Sequence, residues 1–509
     1  MSDSVTVPAA EAVRLHPDDN IVVAPARIAR GARLAREGVI ARDSIPMGHK
    51  IATAAIAKGA LVRKYGQVIG VATADIAPGA HVHVHNIAMS EQRAAAAPQA
   101  NAWARSEPPR SFMGYRRKDG RAGVRNYIGV LTSVNCSATV ARHIAEAAEK
   151  SGLLDGFENI DGIVPITHTS GCGMAGSGEG YDILRRTLWG TAANPNFGAV
   201  MLVGLGCEVL QIDKLKDEHF RDGRDFHAYT IQDVGGTRRA IEEGLAHLKS
   251  LLPELNKVCR TEIPASELVL GLQCGGSDGW SGVSSNPALG NACDRLVALG
   301  GTVILSETPE IYGAEHLLHA RAVSPDVSAK LDARMQWWER YTAVHGAEMN
   351  NNPSPGNKAG GLTTILEKSL GAVAKSGTSP LTDVIEYAKP LTTRGLVFMD
   401  SPGFDPCSAT GQVATGATMI AFTTGRGSAY GCKPSPSIKL ASNSAIYEKM
   451  KDDIDIDCGT IVSGAATIEE KGAEILDYLL AVASGAPSKS EALGYGGVEF
   501  VPWQIGAVM

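Results

Sequence analysis

No run of this chain is apolar for the roughly 20 residues that cross a bilayer, and the longest, such as Ala199-Val-Met-Leu-Val-Gly-Leu-Gly, stop well short. The first residues, Met1-Ser-Asp-Ser-Val-Thr, carry neither a basic region nor an apolar core, so no signal peptide is expected and the cytoplasm is the expected compartment. Basic residues form no stripe, and a net charge of -6 with 20% charged residues argues against nucleic acid as a partner. The nine cysteines are odd in number and include no C-x-x-C pair, which excludes a disulfide framework and a zinc ribbon and leaves packed or functional thiols. There is no G-x-x-x-x-G-K-[ST], and no G-x-G-x-x-G stands where a first βαβ unit would need it, so nucleotide binding is not expected. Aromatics are only 5% while glycine reaches 57 residues, a balance that suits an α/β enzyme with many tight strand-to-helix turns. A length of 509 residues implies about two to four domains.

What is present has a repeating order. From His16 to about Asn86 the pattern is short and β-like, with turn signals at Lys58-Gly59 and Pro78-Gly79. Two polar clusters stand out there, Gly48-His49-Lys50 and His81-Val-His83-Val-His85-Asn86, and alternation places the three histidines of the second on one face of a strand. Such a face is open to three readings: a solvated edge, a metal-binding face, or acid-base chemistry. A linker follows from about Ile87 to Arg110. Beyond it, apolar strand-like runs end again and again in polar loops that lead into helical patterns, which predicts a mostly parallel sheet with helices on both faces and ligands at the carboxyl ends of its strands.

Those loops carry the candidate chemistry. Strand-like runs end at Cys136, at His168-Thr-Ser-Gly-Cys172, at Gly204-Leu-Gly-Cys207-Glu208, at Cys274-Gly-Gly-Ser277-Asp278-Gly, and at Ser306-Glu307-Thr-Pro-Glu310. A single cysteine in such a place is most often a small buried hydrophobe. Four in matching places point to iron, because thiolates select soft or borderline metals. One mononuclear Fe(II) shared with His168, Glu208 or Glu307, a cluster on three or four thiolates, and a thiolate nucleophile all fit at this stage. If the loops line one edge of one sheet, they converge on one metal. Lys358 in a glycine-rich loop, Arg426 after a strand and Lys433 in Gly431-Cys-Lys-Pro-Ser are candidates to hold carboxylates.

Longer segments carry a resemblance. Gly48-His-Lys, His83-Val-His-Asn, Asp119-Gly-Arg-Ala-Gly-Val-Arg-Asn, Gly204-Leu-Gly-Cys-Glu, Cys274-Gly-Gly-Ser-Asp-Gly, Pro309-Glu-Ile-Tyr-Gly-Ala-Glu, Asn352-Pro-Ser-Pro-Gly-Asn-Lys-Ala-Gly-Gly and Ser401-Pro-Gly occur in one order along nearly the full length. In these the chain resembles bacterial sugar-acid dehydratases of the altronate and galactarate dehydratase family, and Gly427-Ser-Ala-Tyr-Gly-Cys-Lys-Pro, with Val501-Pro-Trp-Gln-Ile-Gly-Ala-Val-Met, draws it toward the galactarate branch. The resemblance implies an α/β fold with an N-terminal β-clip (SAF-like) domain over 1–88 and a linker over 89–112. An α/β segment that forms a homodimer follows over 113–265, and a C-terminal Rossmann-like domain with the metal over 266–509. It also implies iron dependence, Fe2+ first and Mn2+ or another divalent metal as the alternative.

Dehydrating a hydroxy acid removes a weakly acidic proton beside a carboxylate, holds the resulting enediolate and protonates the departing β-hydroxyl. His49, with His83 or His85, is expected to serve as base and acid. Lys358, Arg426, Lys433, Ser277 and Asp278 are expected around the substrate, and Cys136, Cys172, Cys207, Cys274, His168 and Glu307 supply the expected metal ligands. The wider family includes a sulfo-lyase acting on sulfolactate, and the competing class is a sugar-acid-binding protein without turnover or metal.

Overall fold

The structure is a computed structural model that describes residues 9–90, 103–213 and 226–506. Half of the expected linker, residues 91–102, lies outside the described residues, as do residues 1–8, 214–225 and 507–509. Residues 9–90 form three small three-stranded sheets, among them Ile21–Val23 paired with Lys50–Ala52 and then His81–Val82. Four turns share one signature that sequence reading passed over: Ile28, Ile45, Ile56 and Ile76 are each buried and each stand three residues before a glycine, Gly31, Gly48, Gly59 and Gly79. All four glycines have φ between 79 and 86°, where a Cβ is strained. The isoleucines bridge in pairs, Ile28 with Ile45 and Ile56 with Ile76, so the repeat makes the core of this β domain.

The parallel strands divide between two sheets, one in each of the two α/β regions. In the first, Gly162–Ile166, Tyr127–Thr132, Phe197–Gly204 and Phe226–Thr230 lie side by side, all parallel. Alternate residues feed opposite cores. Ile128, Val130, Met201 and Val203 face helices Ala138–Lys150 and Thr237–Leu255, while Leu131, Val200 and Leu202 face helix Glu179–Ala192. Both faces are covered, as an all-parallel sheet requires. The ends of this region are tied by Ser111–Arg116 pairing antiparallel with Thr261–Pro264.

The second sheet has seven parallel strands in the spatial order Leu381–Ile385, Gly395–Met399, Thr302–Leu305, Val269–Cys274, Met419–Thr424, Ser437–Ala441 and Ile456–Asp457. Val269–Cys274 lies at its centre. Leu381–Ile385 and Ser437–Ala441 are not evident in the sequence, since Asp383 and the buried Lys439 interrupt the apolar pattern. Helices Ser285–Ala298 and Ile468–Ala483 pack together on one face. The two sheets are joined through helices Glu179–Ala192 and Asp405–Thr415, which approach so closely that a Cβ on Gly190 would stand 2.1 Å from the Ala414 carbonyl oxygen.

Candidate active site

The β domain meets the seven-stranded sheet through glycines. A Cβ on Gly279 would lie 2.1 Å from the Gly48 carbonyl oxygen, and one on Gly361 would lie 2.4 Å from the same atom. Three loops therefore close on one point: the turn before His49, the loop after the central strand, and the segment Asn352–Gly361. That segment, expected as an open polar loop, contains a five-residue helix, Pro355–Ala359, stapled by a capping box between Ser354 and Asn357. Asn357 in turn donates to the Ser277 carbonyl at 2.8 Å.

Behind this contact lies a buried charge cluster. Lys50 Nζ donates to both Glu367 oxygens at 2.9 and 3.1 Å and to the Gly361 carbonyl, and Lys64 Nζ reaches Glu367 at 2.9 Å. Burial alone would raise the Glu367 carboxyl, but the two lysines overcome it and hold it below the usual carboxylate range. Two lysines of one domain sharing one glutamate of another fix the docking.

The histidines gather on this junction. His49 Nδ1 lies 3.0 Å from His81 Nε2, and His49 Nε2 lies 3.2 Å from the Ala359 carbonyl. That carbonyl can only accept, so it assigns the His49 hydrogen to Nε2 and leaves Nδ1 to accept from His81. The ring of His83 centres 4.7 Å from that of His49, and His83 Nδ1, buried, makes no hydrogen bond. Burial lowers all three: His49 in direction, His81 to about 4 and His83 to about 3, so each is neutral at pH 7. The expected single strand face is corrected: only His81–Val82 is strand, and the chain turns at His83–Asn86. Asn86 makes that turn by accepting from His83 N and donating to the His81 carbonyl. His85, exposed, remains 5.4 Å from His81 by ring centroids.

At the carboxyl end of the central strand a second group sits deeper. Cys274, Glu307 and Glu310 offer ligand atoms all within 4.8 Å of one another, as do His49, His81 and His83. Cys274 Sγ donates to Glu310 Oε2 at 3.4 Å, while Lys368 and Asn352 donate to Glu310 Oε1 at 2.6 and 2.8 Å. Lys375 stands 3.6 Å from Glu307 Oε2, which has no hydrogen bond. Glu307 has φ 73°, a left-handed backbone that costs a non-glycine residue about 1 kcal/mol or more and recurs at functional sites. Burial, then the charge of Glu310, push Glu307 well above the ordinary carboxylate range and Asp405 up to about 7. Burial likewise raises the Cys274 thiol to about 12, which removes support for a thiolate nucleophile there.

Several expected residues lie elsewhere. Cys136, Cys172 and Cys207 are exposed at the carboxyl edge of the four-stranded sheet, so they share no single metal with Cys274 and Glu307 on the other sheet. His168 is buried with Nε2 bonded to the Thr132 carbonyl and Nδ1 accepting from Ser170 N, which leaves no nitrogen for a metal. Asp278 is no ligand for a substrate hydroxyl. Its Oδ1 accepts from Trp280 N, Ser281 N, Ser281 Oγ and Ser442 Oγ, its Oδ2 accepts from Asn443 Nδ2, and it is 4% exposed. Instead it knits loops, wedged between Gly360 and Gly425. Lys433 precedes strand Ser437–Ala441 and so stands at the amino edge of the sheet, away from the strand ends. Lys358, half-buried, and Arg426, exposed, do border the junction, next to Gly360 and Gly425 respectively. A cleft of about 1250 Å³ between the β domain and Asn443–Gly464 touches Met47 and Trp280 but none of these ionisable groups.

Glu310, Glu367, Lys368, Lys375, Asp405, Lys50 and Lys64 carry most of the buried charge here. One signal was available: Glu367-Lys368 interrupts the otherwise apolar helix Ile365–Ala374, and charges in a buried helix are paired.

Comparison with known proteins agrees with this architecture. The family models for the altronate/galactarate dehydratase SAF domain, the D-galactarate dehydratase/altronate hydrolase second domain and the D-galactarate/altronate dehydratase C-terminal domain match residues 10–90, 114–256 and 265–508. Galactarate dehydratase (L-threo-forming) of Escherichia coli is 38% identical over 94% of this chain and 94% of its own length. Altronate dehydratase of Bacillus subtilis is 35% identical over 93% and 95%. The beta subunit of (2R)-sulfolactate sulfo-lyase from Chromohalobacter salexigens is 32% identical over 76% of this chain and 96% of its own. With its β domain docked by glycine contacts onto a seven-stranded parallel sheet, and with each of its three regions matched, the chain belongs to the altronate/galactarate dehydratase family.

Proposed function

We propose that this protein is a hydro-lyase that dehydrates a sugar acid, galactarate or a related aldarate or aldonate such as altronate, to a 2-keto-3-deoxy acid. The observation that carries the reading is the junction itself. Neutral histidines from one domain meet lysines and arginine at the rim and a buried thiol-carboxylate group from another.

His83, neutral and with its Nδ1 engaged in no hydrogen bond, is the group that takes the proton from the carbon beside the substrate carboxylate. The hydrogen bonds of His49 to Ala359 and His81 hold the cluster in one tautomer, and His85 gives the proton a route to solvent. Asp405, raised to about 7, supplies the proton with which the β-hydroxyl departs as water. Lys358 and Arg426 grip the distal carboxylate of a diacid.

The donors Cys274, Glu307 and Glu310 suit a divalent ion of borderline softness such as Fe2+, with Mn2+ as the alternative. Burial and neighbouring acid push the carboxyls of Glu307 and Asp405 upward, an excess of buried acid that a cation would relieve. Bound there, the ion would supply Lewis acidity toward the substrate carboxylate and neighbouring hydroxyl. The three histidines form a second donor set, which His49 would join only by giving up its bond to His81, while His83 Nδ1 is already unpartnered. Iron content of E307Q/E310Q against H49A/H83A protein decides between them. A cytoplasmic homodimer belongs to the same reading, checked by sedimentation.

The test is an anaerobic panel of aldaric and aldonic acids, with sulfolactate included, plus added Fe(II), following 2-keto acid formation. Turnover of galactarate or altronate is expected. Ligand binding without turnover of any acid would replace the enzyme by a sugar-acid-binding protein, and release of sulfite would point to the sulfo-lyase branch.

A further inference from the structure

Cys136, Cys172 and Cys207 take no part in the site just described. Of the nine cysteines, five are buried, which is the usual state of a free thiol, and four are exposed, these three and Cys259. Their exposure is not scattered. The strands that deliver them, Gly162–Ile166, Tyr127–Thr132 and Phe197–Gly204, are adjacent and parallel, with Leu131 opposite Ile166 and Thr132 opposite Val203. Cys136 and Cys207 each follow their registered residue by four positions, and Cys172 follows Ile166 by six.

The three loops are sewn together next to the thiols. Asn135 N donates to the Ser170 carbonyl at 3.0 Å, and Val209 N donates to the Gly171 carbonyl at 3.0 Å. Each cysteine is thus one or two residues from a bond that joins its loop to the next. Gly171 is pressed so close that a Cβ on it would meet the Ser133 carbonyl oxygen at 2.2 Å. Gly171 and Gly173, with φ 100° and 62°, flank Cys172, and Gly206, with φ 126°, precedes Cys207. Gln232 Nε2 already donates to Cys207 Sγ at 3.7 Å, the kind of hydrogen bond that tunes a metal-bound sulfur.

We infer that Cys136, Cys172 and Cys207 form a three-thiolate site for a [4Fe–4S] cluster on the four-stranded sheet, separate from the dehydratase site. Three soft sulfur donors select iron-sulfur over hard cations. The three loops are neighbours, each bonded to the next beside its thiol, which suits a cluster whose thiolates bind different irons. On loading from two Fe(II), two Fe(III) and four sulfides, which assemble a [4Fe–4S] core of charge 2+ with no net electron transfer, each thiol gives up its proton to solvent as its sulfur-iron bond forms, and the iron that receives no thiolate takes a water oxygen.

The full-length chain, purified anaerobically and reconstituted with equal Fe(II) and Fe(III) and with sulfide, is expected to hold about four irons and four acid-labile sulfides beyond any mononuclear iron, with a broad visible band that bleaches on reduction. Labile sulfide is expected to be lost in C136S, C172S and C207S and retained in C274S, which separates this site from the iron proposed at Cys274, Glu307 and Glu310. Alkylation mapping of the loaded wild-type chain gives the second readout and needs no variant: Cys136, Cys172 and Cys207 should be protected, while the equally exposed Cys259 reacts. Iron without sulfide, zinc on these thiols, or alkylation of all four exposed cysteines at one rate would overturn the inference.

Discussion

Glu367 and Lys368 are sequence neighbours on one helix, yet each serves a different partner. Successive helical residues point about 100° apart, so Glu367 turns to Lys50 and Lys64 of the β domain and Lys368 to Glu310 at the end of the central strands. Removing Glu367 leaves two buried ammonium groups with no carboxylate between them. Glu367→Ala is therefore expected to destabilise the protein by about 3–5 kcal/mol, read from urea midpoints against the wild type. His168 sets a pH dependence of its own. Burial pushes its imidazole from 6.5 down to about 4, so between those values the unfolded chain binds a proton that the folded one refuses. Stability should fall as pH drops from about 6.5 toward about 4, by about 3 kcal/mol in full. Denaturation of His168→Asn at intervals across that range should show a flatter slope than wild type. At the junction, His83→Ala should lower kcat by about 10²–10⁴ with unchanged far-UV circular dichroism.

At the scale of elements, the docking surface is made of backbone. Gly48, Gly279, Gly360 and Gly361 let three turns approach to contact, and no side chain fits between them. Gly279→Ala places a methyl where the Gly48 carbonyl oxygen lies, so the β domain must move off the sheet. Activity should collapse while the seven-stranded core, some distance from the clash, keeps its melting transition. The helix Pro355–Ala359 is a milder case. Its capping box through Ser354 holds the turn that carries Lys358, and Ser354→Ala should weaken that turn by about 1 kcal/mol. The effect expected in kinetics is a raised KM for diacids with kcat little changed, since Lys358 binds rather than reacts. Equal loss in both parameters would move Lys358 into the chemical step.

For the whole molecule, the site exists only where two regions meet, and contacts among the described residues hold them together. Glu367, the glycine contacts and the His49 bond to Ala359 do that. Residues 1–110 and 111–509, produced separately, should be inactive alone and recover activity on mixing. Full activity in 111–509 alone would sink the histidine assignment.

Much of this was legible in the chain. Apolar runs ending in glycine, cysteine and acid placed the parallel strands and their loops, because both faces of such a sheet are buried and its function gathers at one edge. The local pattern could not tell that these strands divide between two sheets, since both sheets demand the same residues. That division decided which cysteines stand together, and it separated Cys274 from the other three. Burial and pairing were likewise beyond local reach: Asp278 reads as a free acid until five donors surround it, and His168 as a ligand until both nitrogens are bonded. The sequence alone determined the family, the strand-loop-helix order and the residue types that chemistry would need, all of which depend on neighbours along the chain. Only the tertiary structure decided which of those residues face one another, because contact between Lys50 and Glu367, or His49 and Ala359, closes more than three hundred positions and leaves no periodic trace.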